Sequence, residues 1–279
     1  MDMKKIIMTG TNGFIGGQLK KRMSQMGYQI LSIEKDNWKS DLCGMWMDPL
    51  IRPGDIMGIF HIGANTSVQY KDSDLWEDNY YLSKQIMKFA YEYRVPHFIF
   101  SSTSALYGND GIPCNHYGWS KLVTEDYGLS YFQNSDTNFI SLRYFNVFGP
   151  GEKHKGKLSS VILQSYTNNL FSLFKGLSRD YVHIEDVVNA NLYALRHLTS
   201  SGCFDVGTGI STDTVELVSY ANPDWKNIPI IESPYENIQT YTCANPNNFM
   251  YGWQPLMSTK DGSISYGEYI RNGGWEYEL

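Results

Sequence analysis

Short apolar runs alternate with longer stretches of helical periodicity through the first half of the chain, which is the pattern of a parallel sheet joined by crossover helices. Residues 4–9, 29–34, 56–61, 97–101 and 138–144 read as strands, and 13–26, 75–94 and 117–133 as the helices between them. Residues 35–55 carry little pattern, and a brief strand is expected there at 39–42. Beyond Pro150 the rhythm loosens. A helix at 158–169, a helix at 184–198 and a strand at 203–206 precede a tail rich in Pro, Asn and Gly, which reads as a small second lobe.

Composition narrows the class. With 279 residues, 42% of them hydrophobic and 19% charged, the chain suits one large α/β domain with an appendage rather than a disordered or disulfide-stapled one. The 23 Lys and Arg against 29 Asp and Glu give a net charge of -6, which disfavours nucleic acid and anionic membranes as partners. Any anionic ligand must therefore be met by local positive groups. Cys43, Cys114, Cys203 and Cys243 form no CxxC pair and no zinc spacing, so reduced buried thiols and no metal site are expected. There is no 18-residue apolar run, and the stretch from Met1 to Thr9 has no cleavable leader pattern, so a cytoplasmic protein is expected.

The first chemical motif follows the first strand. Gly10, Gly13 and Gly16, with Thr11, Asn12, Phe14 and Ile15 between them, give a G-x-x-G-x-x-G turn that opens a helix. Glycines there let a pyrophosphate approach backbone N–H groups at a helix N-terminus. Glu34, at the end of the second strand, is placed to accept hydrogen bonds from adenosine ribose hydroxyls and favours NAD, while the adjacent Lys35 leaves NADP open. A second motif, Tyr117 and Lys121, stands at i and i+4 on one helix face. A phenol titrating near 10 is a poor base at neutral pH, but a nearby ammonium and an oxidised nicotinamide would favour its phenolate. A third, Ser101 to Ser104, ends a strand at the sheet edge where α/β ligand sites lie, and a hydroxyl there can steady a reacting oxygen.

Together with His61-Ile62-Gly63-Ala64 and Arg143-Tyr144-Phe145-Asn146, these motifs resemble the extended short-chain dehydrogenase/reductases that modify nucleotide sugars. The resemblance implies a Rossmann-type doubly wound parallel sheet over residues 1–150, rejoined by 178–206. A small mixed C-terminal lobe, 151–177 and 207–279, would bind substrate. It makes Thr103 the catalytic hydroxyl beside Tyr117 and Lys121, and adds Asp41, Leu42, Ile62, Gly63, Ala64, Asn79, Ser101, Tyr117, Lys121 and Tyr144 to the cofactor contacts. Thr66, Ser67 and Thr103 would meet the sugar, and a homodimer or larger homo-oligomer would form through the helices at 75–94 and 117–133.

The closer resemblance is to the ADP-L-glycero-D-manno-heptose 6-epimerases. It is carried by Asn79-Tyr80-Tyr81-Leu82-Ser83-Lys84 and by Glu152-x-His154-Lys155-Gly156 followed by Ser160-Val161. That likeness makes Lys155 a second acid/base on the opposite face of the sugar carbon, although a solvated basic loop at 153–157 is the competing reading. Arg179 and Asn146 would meet the diphosphate and Gln239 the nucleotide end, where the arginine usual just before that position is replaced by Asn237. The implied reaction is epimerisation by transient oxidation at bound NAD or NADP. Ser104 and Ala105 stand where dehydratases carry Asp and Glu, which disfavours dehydration. Another nucleotide-hexose epimerase or a reductase is the alternative, and a non-catalytic NAD(P)-binding sensor is the alternative of a different class.

Overall fold

All five strands expected in the first half form, within two residues of the expected bounds. The computed structural model describes residues 4–49, 51–66, 72–108, 111–168, 171–234 and 239–277, so Ser67 and Asn237 lie outside the described residues. In chain order the elements are β1 (Lys5–Thr9), α1 (Phe14–Gln25), β2 (Gln29–Ile33), α2 (Trp38–Met47), β3 (Ile56–His61), α3 (Asp72–Trp76), α4 (Leu82–Glu92), β4 (His97–Thr103), α5 (His116–Tyr131) and β5 (Asn138–Tyr144). They continue as β6 (Asn146–Phe148), α6 (Val161–Thr167), β7 (Leu173–Phe174), β8 (Ser178–His183), α7 (Ile184–His197), β9 (Gly202–Val206), β10 (Ser211–Asp213), α8 (Thr214–Ala221), β11 (Ile230–Ile231) and α9 (Thr259–Arg271). Between α3 and α4 the chain makes one wide π turn, Glu77–Tyr81.

The chain divides into two compact units, Met1–Arg143 with Ala190–Phe204, and Tyr144–Asn189 with Asp205–Leu279. The six-stranded sheet runs β2-β1-β3-β4-β5-β9, with β1 parallel to β2 and β3, and β3 parallel to β4. This is the α/β, Rossmann-type arrangement expected. Its order reverses at β1, which places the carboxyl ends of β1 and β3 at a switch point where ligands of open parallel sheets bind. In the first unit Ile7, Ile59, Phe98, Phe100 and Phe139 from the strands pack on Ile86, Phe89 and Ala90 of α4. The second unit has its own core of Phe148, Ile162, Tyr181, Leu217, Tyr266 and Ile270, and a three-stranded sheet β10-β8-β6.

The strand expected at 39–42 is instead the start of α2. Trp38, Leu42, Met45 and Trp46 follow helical spacing, and all four pack into the first unit's core. The Leu42 side chain, 2% exposed, is part of that core. The helix expected at 158–169 is confined to α6, because Lys153–Leu158 form a separate 3-10 turn kinked at Gly156, whose φ is 52°. All four cysteines are free, but Cys43 and Cys114 are exposed and Cys203 and Cys243 half-buried, which corrects the expectation of buried thiols. Among the described residues no helix is long and apolar enough to cross a membrane.

Candidate active site

The glycine turn is built for close approach. Gly10 has φ 67°, and a Cβ on it would stand 2.6 Å from the Cα of Gly63, so the loop after β1 and the loop after β3 touch backbone to backbone. A Cβ on Gly16 would enter the Gly10 carbonyl oxygen, so α1 packs against the turn only because residue 16 is glycine. Gly13 is the N-cap of α1 and no side chain caps the helix, which leaves its positive end to an anionic ligand. Glu34 follows β2, and its Oε1 accepts from the backbone N–H of Thr11 at 3.0 Å and the Thr11 hydroxyl at 2.5 Å. Its Oε2 has no hydrogen bond among the described residues. These features fit the dinucleotide expected from the sequence. Gly16→Ala is expected to abolish cofactor retention, as read from the nicotinamide nucleotide released on denaturing the purified protein.

Lys35 is exposed and paired with Asp78 at 2.9 Å, and Asp41 accepts the Glu34 backbone N–H at 3.3 Å. Glu34 and Asp41 thus stand together at the end of β2, with Lys20 Nζ, bonded to the Thr11 hydroxyl at 3.3 Å, as a cation beside Glu34. Asn12 is exposed, Phe14 is buried, and Ile15 is half-buried in the first turn of α1.

Behind the glycine turn a hydrogen-bond relay has only one consistent proton arrangement. Ser83 Oγ donates to the Asn79 carbonyl at 2.5 Å, so His61 Nε2 must donate to Ser83 at 2.7 Å. His61 Nδ1 is then the acceptor, the Thr9 hydroxyl donates to it at 2.9 Å, and Thr9 Oγ1 accepts from Gly63 N–H at 2.8 Å. The imidazole is neutral. Burial, helped by the charge of Lys121, pushes its pKa down to about 3. The relay fixes Gly63 between half-buried Ile62 and Ala64. Ser101 ties in from β4, its hydroxyl donating to the Ile62 carbonyl at 3.2 Å.

Thr103, Tyr117 and Lys121 belong to the same unit. Asn115 caps α5 by accepting from Gly118 N–H at 2.8 Å, which sets Tyr117 in the first turn and Lys121 one turn later. The sequence reading missed Asn115, although an Asn just before a helical run is the ordinary capping signal. Asn79 lies in the π turn and is 2% exposed. Its carboxamide accepts from Asn65 N–H at 2.7 Å and donates to the Asn65 carbonyl at 2.9 Å and to Ser120 Oγ at 3.0 Å. Ser120 in turn donates to the Tyr117 carbonyl at 2.8 Å, so Asn79 braces the helix that carries the phenol.

Lys121 is 1% exposed, donates to the Ser101 carbonyl at 2.8 Å and lies 4.6 Å from the centre of the Phe100 ring. Burial lowers its pKa to about 7. Burial also pushes Tyr117 up to about 12, against a hydrogen bond from Thr103 that favours the phenolate. Desolvation thus drives both groups toward their neutral forms, against which the ammonium and an oxidised nicotinamide together are expected to favour the phenolate. Thr103 Oγ1 accepts from Ala105 N–H at 3.2 Å, leaving the hydroxyl proton for Tyr117.

The residues expected on the substrate fall mostly in the second unit, along with Tyr144, which is 6% exposed. Thr66 is exposed in the first. Asn146 lies opposite Tyr181 across the pairing of β6 and β8, and half-buried Arg179 is on β8. The backbone around Tyr241 bonds to both sides of Ser178, at 3.0 and 3.1 Å, which brings the Gln239 segment beside the same strand. Asp180, next to Arg179 and given no role of its own by the sequence, holds the arrangement. Its buried carboxylate accepts from Thr208 N–H at 2.7 Å, Gly209 N–H at 2.8 Å and Ala244 N–H at 3.0 Å. On the 3-10 turn His154 is exposed, whereas Lys155 turns inward to Glu152 with 3.7 Å between Nζ and Oε2.

Comparison with known proteins adds to this geometry. The model of the NAD dependent epimerase/dehydratase family matches residues 6–207. The fold is similar to that of UDP-glucose 4-epimerase from Thermotoga maritima with UDP-glucose, at 24% identity, TM-score 0.83, and 96% and 99% of the two chains covered. It is also similar to that of ADP-L-glycero-D-manno-heptose-6-epimerase from Helicobacter pylori, at 23% identity, TM-score 0.77, and 96% of each chain covered. UDP-glucose 4-epimerase from Thermus thermophilus in complex with NAD matches at 21% identity, TM-score 0.79, with 96% and 99% covered.

Proposed function

The chain belongs to the NAD dependent epimerase/dehydratase family, and from that premise we propose that it is a nucleotide-sugar epimerase of the ADP-heptose 6-epimerase kind. The observation that carries the reading is the set of buried Lys121 with half-buried Thr103 and Tyr117 at the carboxyl end of β4, with Ser104 and Ala105 where dehydration would need carboxylates. The dinucleotide is held by the glycine turn, the α1 N-terminus, Glu34 and Gly63. When bound and oxidised it supplies a positively charged acceptor for the carbinol hydrogen and its electron pair.

That charge works in the same direction as the Thr103 hydrogen bond, toward a Tyr117 phenolate able to take the hydroxyl proton. Lys121 steadies the phenolate from the next turn. Once the resulting carbonyl has presented its other face, Lys155 gives a proton to the oxygen as the carbon–hydrogen bond is restored. Lys155, 29% exposed, then regains its proton from water, and Tyr117 returns its own. Arg179, Asn146 and Gln239 bind the diphosphate and nucleotide, the guanidinium suiting phosphate oxygens. NAD is preferred over NADP, because a 2′-phosphate would meet Glu34 and Asp41 while Lys35 is held by Asp78. Pairing of two copies through α4 and α5 is supported by Tyr91 of α4, 52% exposed, Trp119 of α5, 43% exposed, and Tyr81 at the end of the π turn before α4, 52% exposed.

Incubation of the purified protein with ADP-heptose, UDP-galactose and GDP-mannose, with products resolved by NMR and released cofactor weighed by mass spectrometry, tests the reading. Epimerisation of the heptose at its 6-position with NAD released is expected. Turnover of UDP-galactose alone would move the assignment to a ring 4-epimerase.

A further inference from the structure

Glu152 has no role in the chemistry above, yet it is 0% exposed and its carboxylate is held on both oxygens. Ser160 N–H donates to its Oε2 at 2.7 Å and the Ser160 hydroxyl donates to its Oε1, while the Tyr266 phenol of α9 also favours its charged form. Lys155 Nζ stands 3.7 Å from Oε2, three residues along the same turn. A buried carboxylate held by the N-cap residue of α6, with the Lys155 ammonium beside it while Lys153 of the same turn is bonded to the Glu276 carbonyl, is a device for fixing the Lys155 ammonium.

We propose that Glu152 is a positioning residue for Lys155, holding its amine in place and protonated, as an acid on the second face of the sugar carbon must be. The proposal rests on the reading of Lys155 as the second acid/base. Burial lowers the Lys155 pKa and raises that of Glu152, and each group's charge opposes the shift of the other. Removing one charge therefore leaves burial unopposed at the other. Ser160 and Tyr266 are the polar groups of α6 and α9 that face the pair; of the other charged groups of the turn, Lys153 donates to the Glu276 carbonyl at 2.9 Å and His154 and Lys157 are exposed.

The test compares full-length protein with Glu152→Gln, which keeps the shape and the acceptor for Ser160 N–H, and with Glu152→Asp. The pH at which Lys155 becomes half-reactive toward acetic anhydride is read by peptide mass spectrometry against exposed Lys39 as internal reference. Glu152→Gln is expected to lower that midpoint by about one pH unit or more, and to lower kcat about tenfold or more with KM little changed. Glu152→Asp is expected to restore most of the midpoint. Should Glu152→Gln not fold, Ser160→Ala, which strips one donor from the carboxylate, is expected to move the midpoint the same way by less. An unchanged or raised Lys155 midpoint in the folded variants overturns the proposal. A lowered midpoint with the loss confined to KM upholds the pairing and instead refutes Lys155 as an acid.

Discussion

Tyr117→Phe is expected to lower epimerisation by about 10²–10⁴-fold while the protein keeps its dinucleotide. The substitution removes one oxygen atom. It leaves the aromatic ring in α5, the Asn115 cap, the Ser120 bond to the backbone carbonyl of residue 117, and the Lys121 bond to Ser101. The glycine turn and Glu34, which hold the cofactor in this reading, do not involve the phenol. A loss of chemistry without a loss of cofactor is therefore the specific signature, read from single-turnover kinetics alongside the nucleotide content of the purified variant. Undiminished epimerisation would remove Tyr117 from the mechanism. Loss of cofactor together with activity would make its role structural.

Tyr117 and Lys121 were legible because a helix fixes the separation of i and i+4, and Gly10 and Gly16 because a turn that close admits no Cβ there. The strands of the central sheet were legible for a similar reason, since buried parallel strands are continuous apolar runs. What escaped was set by tertiary contact. Segment 38–47 was misread because its Gly44 and polar residues masked a helical stripe of Trp38, Leu42, Met45 and Trp46 that packs onto the core beside α4. The inward turn of Lys155 follows from the Gly156 kink and from Glu152, and a crowd of Lys153, His154, Lys155 and Lys157 looks uniformly solvated in sequence. The direction of the Tyr117 and Lys121 shifts also escaped, because burial depends on Phe100 and the strand ends around them rather than on their spacing.

The largest expected loss of stability comes from Glu125→Ala, at about 3–5 kcal/mol. Glu125 is 1% exposed on α5, accepts from the buried Ser141 hydroxyl at 2.6 Å and from Arg143 Nε at 3.2 Å, and is bonded again by Arg143 Nη2. The third arm of the fork, Arg143 Nη1, donates to the Tyr107 phenol at 2.8 Å. Truncation leaves a guanidinium without its counter-ion and a fully buried Ser141 hydroxyl without its acceptor, and both costs fall on the folded state. Because the Arg143 side chain is 19% exposed, water can reach part of the orphaned charge, which points to the lower end of that range. Urea denaturation of the apoprotein measures it. The double variant Glu125→Leu, Arg143→Met is expected to recover most of the loss, since a paired removal leaves no lone charge. The same fork links this buried pair to function. Tyr107 follows the short turn after Thr103, so a Glu125→Ala protein that stays folded at low temperature is expected to show reduced kcat as the Thr103 hydroxyl loses its fixed approach to Tyr117. An unchanged kcat there would mean that β4 and the Asn115 cap hold the two hydroxyls together without the fork.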